Sequence, residues 1–215
     1  MKIVPLTLGR WNMHTPLDRS NVDRCQRRTV VIGRKLTRYN IDIAALIETH
    51  LAGEAELCER GAGYTFFWSG RSEDQSEAGV SFAENTVFVN KLAGLPKGVN
   101  DRLMTMKLAL SKRRKHVMII SAHSPTIYNP DDKDIFYEEL HSIVTSVPKS
   151  DKILILGDLN ARVGSDFISW EGVIGKDGVG RCNSNGLLLL QTCADHELLI
   201  TNTIFRLPRA TWMHP

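Results

Sequence analysis

KILILGDLNAR, residues 152–162, decides the fold class. Four consecutive aliphatic residues, Ile153 to Leu156, empty into a polar turn. That pattern reads as a strand buried on both faces. Gly157 permits a tight exit from the strand. Asp158 and Asn160 stand two apart, so an extended backbone points both side chains to the same side. An Asp that takes a proton from water beside an Asn that donates to a phosphate oxygen makes a hydrolytic pair.

Working outward, IDIAALIE (41–48) is a second apolar run ending in an acid, and IVPLTLGRWN (3–12) reads as a strand that ends at Asn12. YTFFWSG (64–70) and AGVSFA (78–83) read as two more strands, with the polar GRSEDQSE between them as a loop. RLMTMKLAL (102–110) sets Met104, Met106, Leu108 and Leu110 on one apolar face. With HVMIISAH (116–123) it makes a hairpin whose tip is basic. Steps of three and four predict helices over 21–39 and 136–147. A third helix is expected over 185–196, with Asn183, Ser184 or Asn185 as its cap. ELLITNT (197–203) is expected to be a strand, and ATWM (210–213) to begin another. Strands outnumber helices, and most follow one another without an intervening helix. The pattern predicts a mixed α/β (α+β) chain, two packed sheets with helices outside. No repeat or low-complexity linker interrupts it, so residues 1–215 are expected to form a single domain.

The composition excludes several classes. Of 215 residues, 42% are hydrophobic and 24% charged, which argues against disorder, collagen and coiled coil. No apolar run is long enough to span a membrane. MKIVPLTLGRWN has too short an apolar stretch for a signal peptide. Four cysteines, at 25, 58, 182 and 193, lack close pairing and suit a reducing compartment. The expected location is intracellular, nuclear or cytoplasmic, and not secreted. The net charge of +3 is too small to indicate a nucleic-acid partner. The densest basic cluster, SKRRKH, carries Lys112, Arg113, Arg114 and Lys115. It is either a solvated hairpin tip or a contact to the phosphate backbone of a nucleic acid.

Asn12, Glu48, Asp158 and Asn160 all sit at the ends of apolar strands. Acids in such places also occur in helix-capping turns. Several of them at one edge of a sheet would supply hard oxygen ligands, which suit Mg²⁺ or Mn²⁺ and not zinc. The glycines of GVIGKDGVG match no phosphate-binding loop. Cys193, on an apolar helix face, reads as core.

WN at 11–12, LIETHL at 46–51, SAHSP at 121–125 and GDLNARVG at 157–164 carry a resemblance. The chain resembles the endonuclease/exonuclease/phosphatase superfamily, and within it the apurinic-endonuclease-like domain of non-LTR retrotransposons. Members of the craniofacial development protein 2 type are similar over nearly the whole chain. The resemblance implies a four-layer α/β/β/α sandwich. It implies Mg²⁺ (or Mn²⁺) held by Glu48 with support from Asn12. It also implies that Asp158 orients or deprotonates the attacking water and that Asn160 holds the scissile phosphate. The implied reaction is hydrolysis of a DNA phosphodiester, leaving a 3′-hydroxyl primer. Two rivals stand beside it: a binding or vestigial protein that keeps the fold, and a phosphoesterase of the same superfamily acting on inositol phosphates, lipids or RNA.

The chain departs from the family pattern in two places. Members usually carry Tyr where this chain has His123, whose imidazole can still hydrogen-bond a phosphate. Members also continue past the TWMHP-like segment with an Asp on the next strand and an Asp-His pair. This sequence contains neither, which predicts a C-terminally truncated sandwich. Loss of one acid–base partner typically costs about 10²–10⁴ in rate, so the sequence predicts weak or absent hydrolysis of DNA.

Overall fold

The structure, a computed structural model, describes residues 5–13, 22–70, 79–89, 92–110, 115–126 and 130–205. They fall into two compact units. The first is drawn from Met1–His123 and Val147–Asp158, the second from Ser124–Ser146 and Leu159–Pro215.

In the first unit, strands β1 (Leu8–Asn12), β2 (Ile43–Ile47), β3 (Glu54–Glu59), β4 (Tyr64–Ser69) and β5 (Val80–Asn85) form one sheet, in the order β1-β2-β5-β4-β3. Strands β6 (Lys97–Gly98), β7 (Leu103–Ala109), β8 (His116–His123) and β9 (Lys152–Asp158) form the other, in that order. Helix α1 spans Val22–Arg38, and the single turn α2 spans Thr86–Val89. Alternation along the strands explains the layering. Ile43, Ala45, Ile47, Phe67, Val80 and Phe82 of the first sheet pack against Met104, Met106, Leu108, Val117 and Ile119 of the second. The opposite face of the first sheet, with Ala44, Leu46, Tyr64, Phe66 and Ala83, packs on Ile32 and Leu36 of α1. β2 is therefore covered on both sides and fully buried, which is why its sequence is apolar without alternation.

Edge strand β3 differs. Its sequence EAELCE is largely exposed, and it pairs with β4 from Glu54↔Ser69 to Glu59↔Tyr64. Charged side chains on an edge discourage further strand pairing.

The second unit contains α3 (Pro130–Ser146) and α4 (Ser184–Asp195). The Tyr137 hydroxyl of α3 donates to the Asn185 carbonyl of α4 at 3.2 Å. The fold class is α/β with two sheets and helices, as the sequence and the resemblance led us to expect. The expected strand over 197–203 does not form. Glu197, at φ 54°, ends α4 in the left-handed region, and Leu198 N–H bonds back to the Cys193 carbonyl. This is the 6→1 bond of a Schellman close. Ile200 makes one bridge to Ile174, and Thr201–Thr203 is a 3-10 turn. The expected strand over 210–213 lies outside the described residues. Among the described residues no helix is long and apolar enough to cross a membrane.

Glu84 is an ionisable group set within the core. It follows Val80 and Phe82 on the inter-sheet face of β5 and is fully buried. Its register partners are Ile43 and Thr65. Among the described residues neither carboxyl oxygen has a hydrogen-bond partner. Burial pushes its pKa from 4.5 up to about 7, because the ionised form loses its hydration. Below the lower value both folded and unfolded chains hold the proton. Between the two values only the unfolded chain releases it, so stability falls as pH rises, and above about 7 the full cost is present. That cost is about 3 kcal/mol. Glu84→Gln is expected to flatten this dependence, measured by urea unfolding between about pH 5 and about pH 8.

Candidate active site

Two parallel pairings carry polar residues to strand ends. β1 runs beside β2 with Asn12 opposite Ile47, and Glu48 follows directly. β8 runs beside β9 with His123 opposite Asp158. The second pairing is close. A Cβ at Gly157 would lie 1.7 Å from the Ala122 carbonyl oxygen, so only glycine fits. Gly157 thus serves inside β9 and not, as the sequence suggested, in the exit turn.

His123 and Glu48 meet across the two sheets of the first unit. His123 Nε2 lies 3.8 Å from Glu48 Oε1, with side-chain exposures of 11% and 25%. His123 Nδ1 is buried and has no partner among the described residues. Asp158 is held by Arg10, a residue that sequence reasoning did not single out. The Arg10 guanidinium donates to the Gly157 carbonyl at 2.9 Å, and its other terminal nitrogen lies 3.4 Å from Asp158 Oδ2. Arg102 donates to the His123 carbonyl at 3.4 Å. Asn100 Oδ1 accepts from the backbone N–H groups of Arg102 and Leu103, which fixes that turn.

Burial pushes the His123 pKa down. Arg102 and Arg10 push the same way, and Glu48 and Asp158 resist. The imidazole is therefore neutral near pH 7, with one nitrogen able to donate and the other to accept. Glu48, Asp158 and the two arginines all act on one ring, so these groups converge.

Glu48 adopts φ 55° and His50 φ 52°. Non-glycine residues rarely occupy this region, and when they do the surroundings must hold them. Among the described residues no three or more His, Cys, Asp or Glu side chains gather into a metal cage. Mg²⁺ keeps several waters and takes one or two carboxylates. The donor set of Glu48 with the Asn12 amide, exposed at the end of β1, therefore fits that kind of cation and does not fit a closed zinc site.

In the second unit, Asn160 adopts φ 47° and donates its side-chain amide to the Ser124 carbonyl at 2.7 Å. Asn183 holds the segment around it. Its Oδ1 accepts from Gly186 N at 2.7 Å, capping α4, and from Arg162 N at 3.0 Å. Its Nδ2 donates to the Asn160 carbonyl at 3.2 Å. Asn185 Nδ2 donates to the Pro125 carbonyl at 2.9 Å. Lys115 is exposed just before β8, eight residues before His123. At strand rise that is roughly 25 Å along the chain. Lys112, Arg113 and Arg114 lie outside the described residues.

Residues 11–212 match the Endonuclease/Exonuclease/phosphatase family. The chain belongs to that family. Its curated relatives include "Craniofacial development protein 2" of Bos taurus, 29% identical over 212 residues, covering 97% of this chain and 33% of that protein. The family member described here thus spans about a third of that relative's length. Among solved structures, the endonuclease domain of TRAS1, a telomere-specific non-LTR retrotransposon, is similar with a TM-score of 0.54 and 15% identity, over 89% of this chain and 72% of that one. The AP endonuclease LMAP of Leishmania major is similar with a TM-score of 0.55 and 13% identity, over 86% and 65%. At these identities the structures speak for the family fold.

The Asn183 arrangement yields a stability prediction. Asn183→Ala removes the cap of α4 and two further bonds, and is expected to cost about 1–3 kcal/mol in urea unfolding. Asn183→Asp keeps both acceptor bonds and is expected to lose less.

Proposed function

We propose that residues 1–215 act as one metal-dependent phosphodiesterase domain that hydrolyses DNA. The observation that carries this reading is the approach of Glu48 from one sheet to His123 of the other, beside the Asp158–Arg10 pair. An acid, a neutral imidazole and a carboxylate gripped by a guanidinium suit attack on a phosphodiester better than a role in packing. Similarity to a retrotransposon endonuclease and to an AP endonuclease favours DNA over inositol phosphates, lipids or RNA.

In this reading Glu48 and Asn12 hold Mg²⁺ or Mn²⁺. Such a cation, when bound, neutralises charge on the phosphate. Asp158 orients the attacking water and takes its proton. The water oxygen bonds to phosphorus, the bond to the leaving deoxyribose 3′-oxygen breaks, and that oxygen takes a proton from solvent water. His123 hydrogen-bonds a phosphate oxygen. The basic residues Lys112, Arg113, Arg114 and Lys115 would contact backbone phosphates, which adds affinity without sequence preference.

The test is nicking of supercoiled plasmid with Mg²⁺. Nicking is expected to stop on chelation and to return with Mg²⁺ or Mn²⁺. Glu48→Ala and Asp158→Asn are each expected to lower the rate about 10²–10⁴-fold. The wild-type rate also decides the expectation of weak turnover. DNA binding without cleavage would favour a protein that keeps the fold for binding. Cleavage of RNA or inositol phosphates in place of plasmid would favour a different phosphoesterase.

A further inference from the structure

Arg10 lies two residues before Asn12 on β1, at one edge of its sheet, while Gly157 and Asp158 end β9, at one edge of the other sheet. Its side chain therefore crosses from sheet to sheet beside the candidate site. One arm grips the main chain at the Gly157 carbonyl, and the other faces the side chain of the next residue, Asp158. Stability alone is a weak reason for this contact. The side chains are 44% and 34% exposed, and exposed ion pairs contribute little. Orientation is a stronger reason. A guanidinium is a planar fork with donors in fixed directions, so two contacts on adjacent groups restrict where the carboxylate points. A lysine ammonium at the same place would be a point charge without that restriction. Arg10 also adds positive charge near His123.

We propose that Arg10 is a positioning residue that holds the Asp158 carboxylate in the orientation in which it acts on the attacking water. The assignment rests on the hydrolytic reading above. A carboxylate misplaced by about 1 Å can cost about 10²-fold in rate, and that sets the expected effect.

The experiment measures kcat and KM on a fluorescent DNA duplex with Mg²⁺, for the wild-type chain, Arg10→Ala and Arg10→Lys, with a thermal melt of each. Arg10→Ala is expected to lower kcat about 10²-fold while KM and the melting midpoint stay near wild type. Arg10→Lys is expected to recover little of the loss. Added guanidinium ion is expected to restore part of the Arg10→Ala rate, which a merely structural tie would not allow. Wild-type kcat in Arg10→Ala, a change in KM alone, or full recovery by lysine would each overturn the assignment and leave the Glu48 and Asp158 effects intact. No cleavage by the wild-type chain would overturn the hydrolytic reading, and this assignment with it.

Discussion

The rest of the first unit depends on one constraint: β2 and β5 are buried on both faces. Ile43, Ala45 and Ile47 face the second sheet, while Ala44 and Leu46 face the α1 side. A polar side chain within such a strand is desolvated on either side. Polar groups are therefore favoured at strand ends, where the backbone turns out of the sheet, and Ser81 and Glu84, buried within β5, are exceptions. Asn12, Glu48, His123 and Asp158 all occupy such ends. The packing that stabilises the sandwich thus also selects where its chemistry can be.

Backbone conformation carries the same message. Asn40 and Glu197 take positive φ immediately beyond helices, where a left-handed residue closes the last turn. Glu48, His50 and Asn160 take positive φ just after β2 and β9, where no helix ends. A left-handed residue there breaks the alternation of the strand and re-aims the next side chains. The cost is of order 1–3 kcal/mol per residue. In the first unit this strain falls beside the His123–Glu48 contact.

Much of the fold was legible because burial leaves a local trace. IAALI betrays β2 by unbroken apolarity, and the Met104–Met106–Leu108 face betrays β7 by alternation. ILIL correctly marks β9 as a strand, but the expected burial on both faces does not hold: β9 is an edge strand, none of its residues is buried, and Leu154 is 40% exposed. β3 left no such trace. Three glutamates in six residues give no apolar alternation, and only pairing with β4 makes that segment a strand. The 197–203 segment erred the other way: its apolar residues suggested a strand, but Glu197 spends the first position on ending α4. Helix α3 starts at Pro130 and not at Phe136. The signal was present, since Pro suits a first helical position and Asp131 and Asp132 suit the first turn. The strand-end polar residues were legible as candidates. Arg10 was not, because its contact with Asp158 depends on the registers of two sheets, and no local pattern encodes that.

The glutamates of β3 have a consequence for how copies of this chain meet. An unpaired edge is a template for endless strand-on-strand growth. If two copies aligned their β3 edges antiparallel about the centre of EAELCE, Glu54 of each would face Glu59 of the other. In parallel alignment every glutamate would face itself. Both arrangements set glutamate against glutamate, which disfavours pairing between copies at this edge.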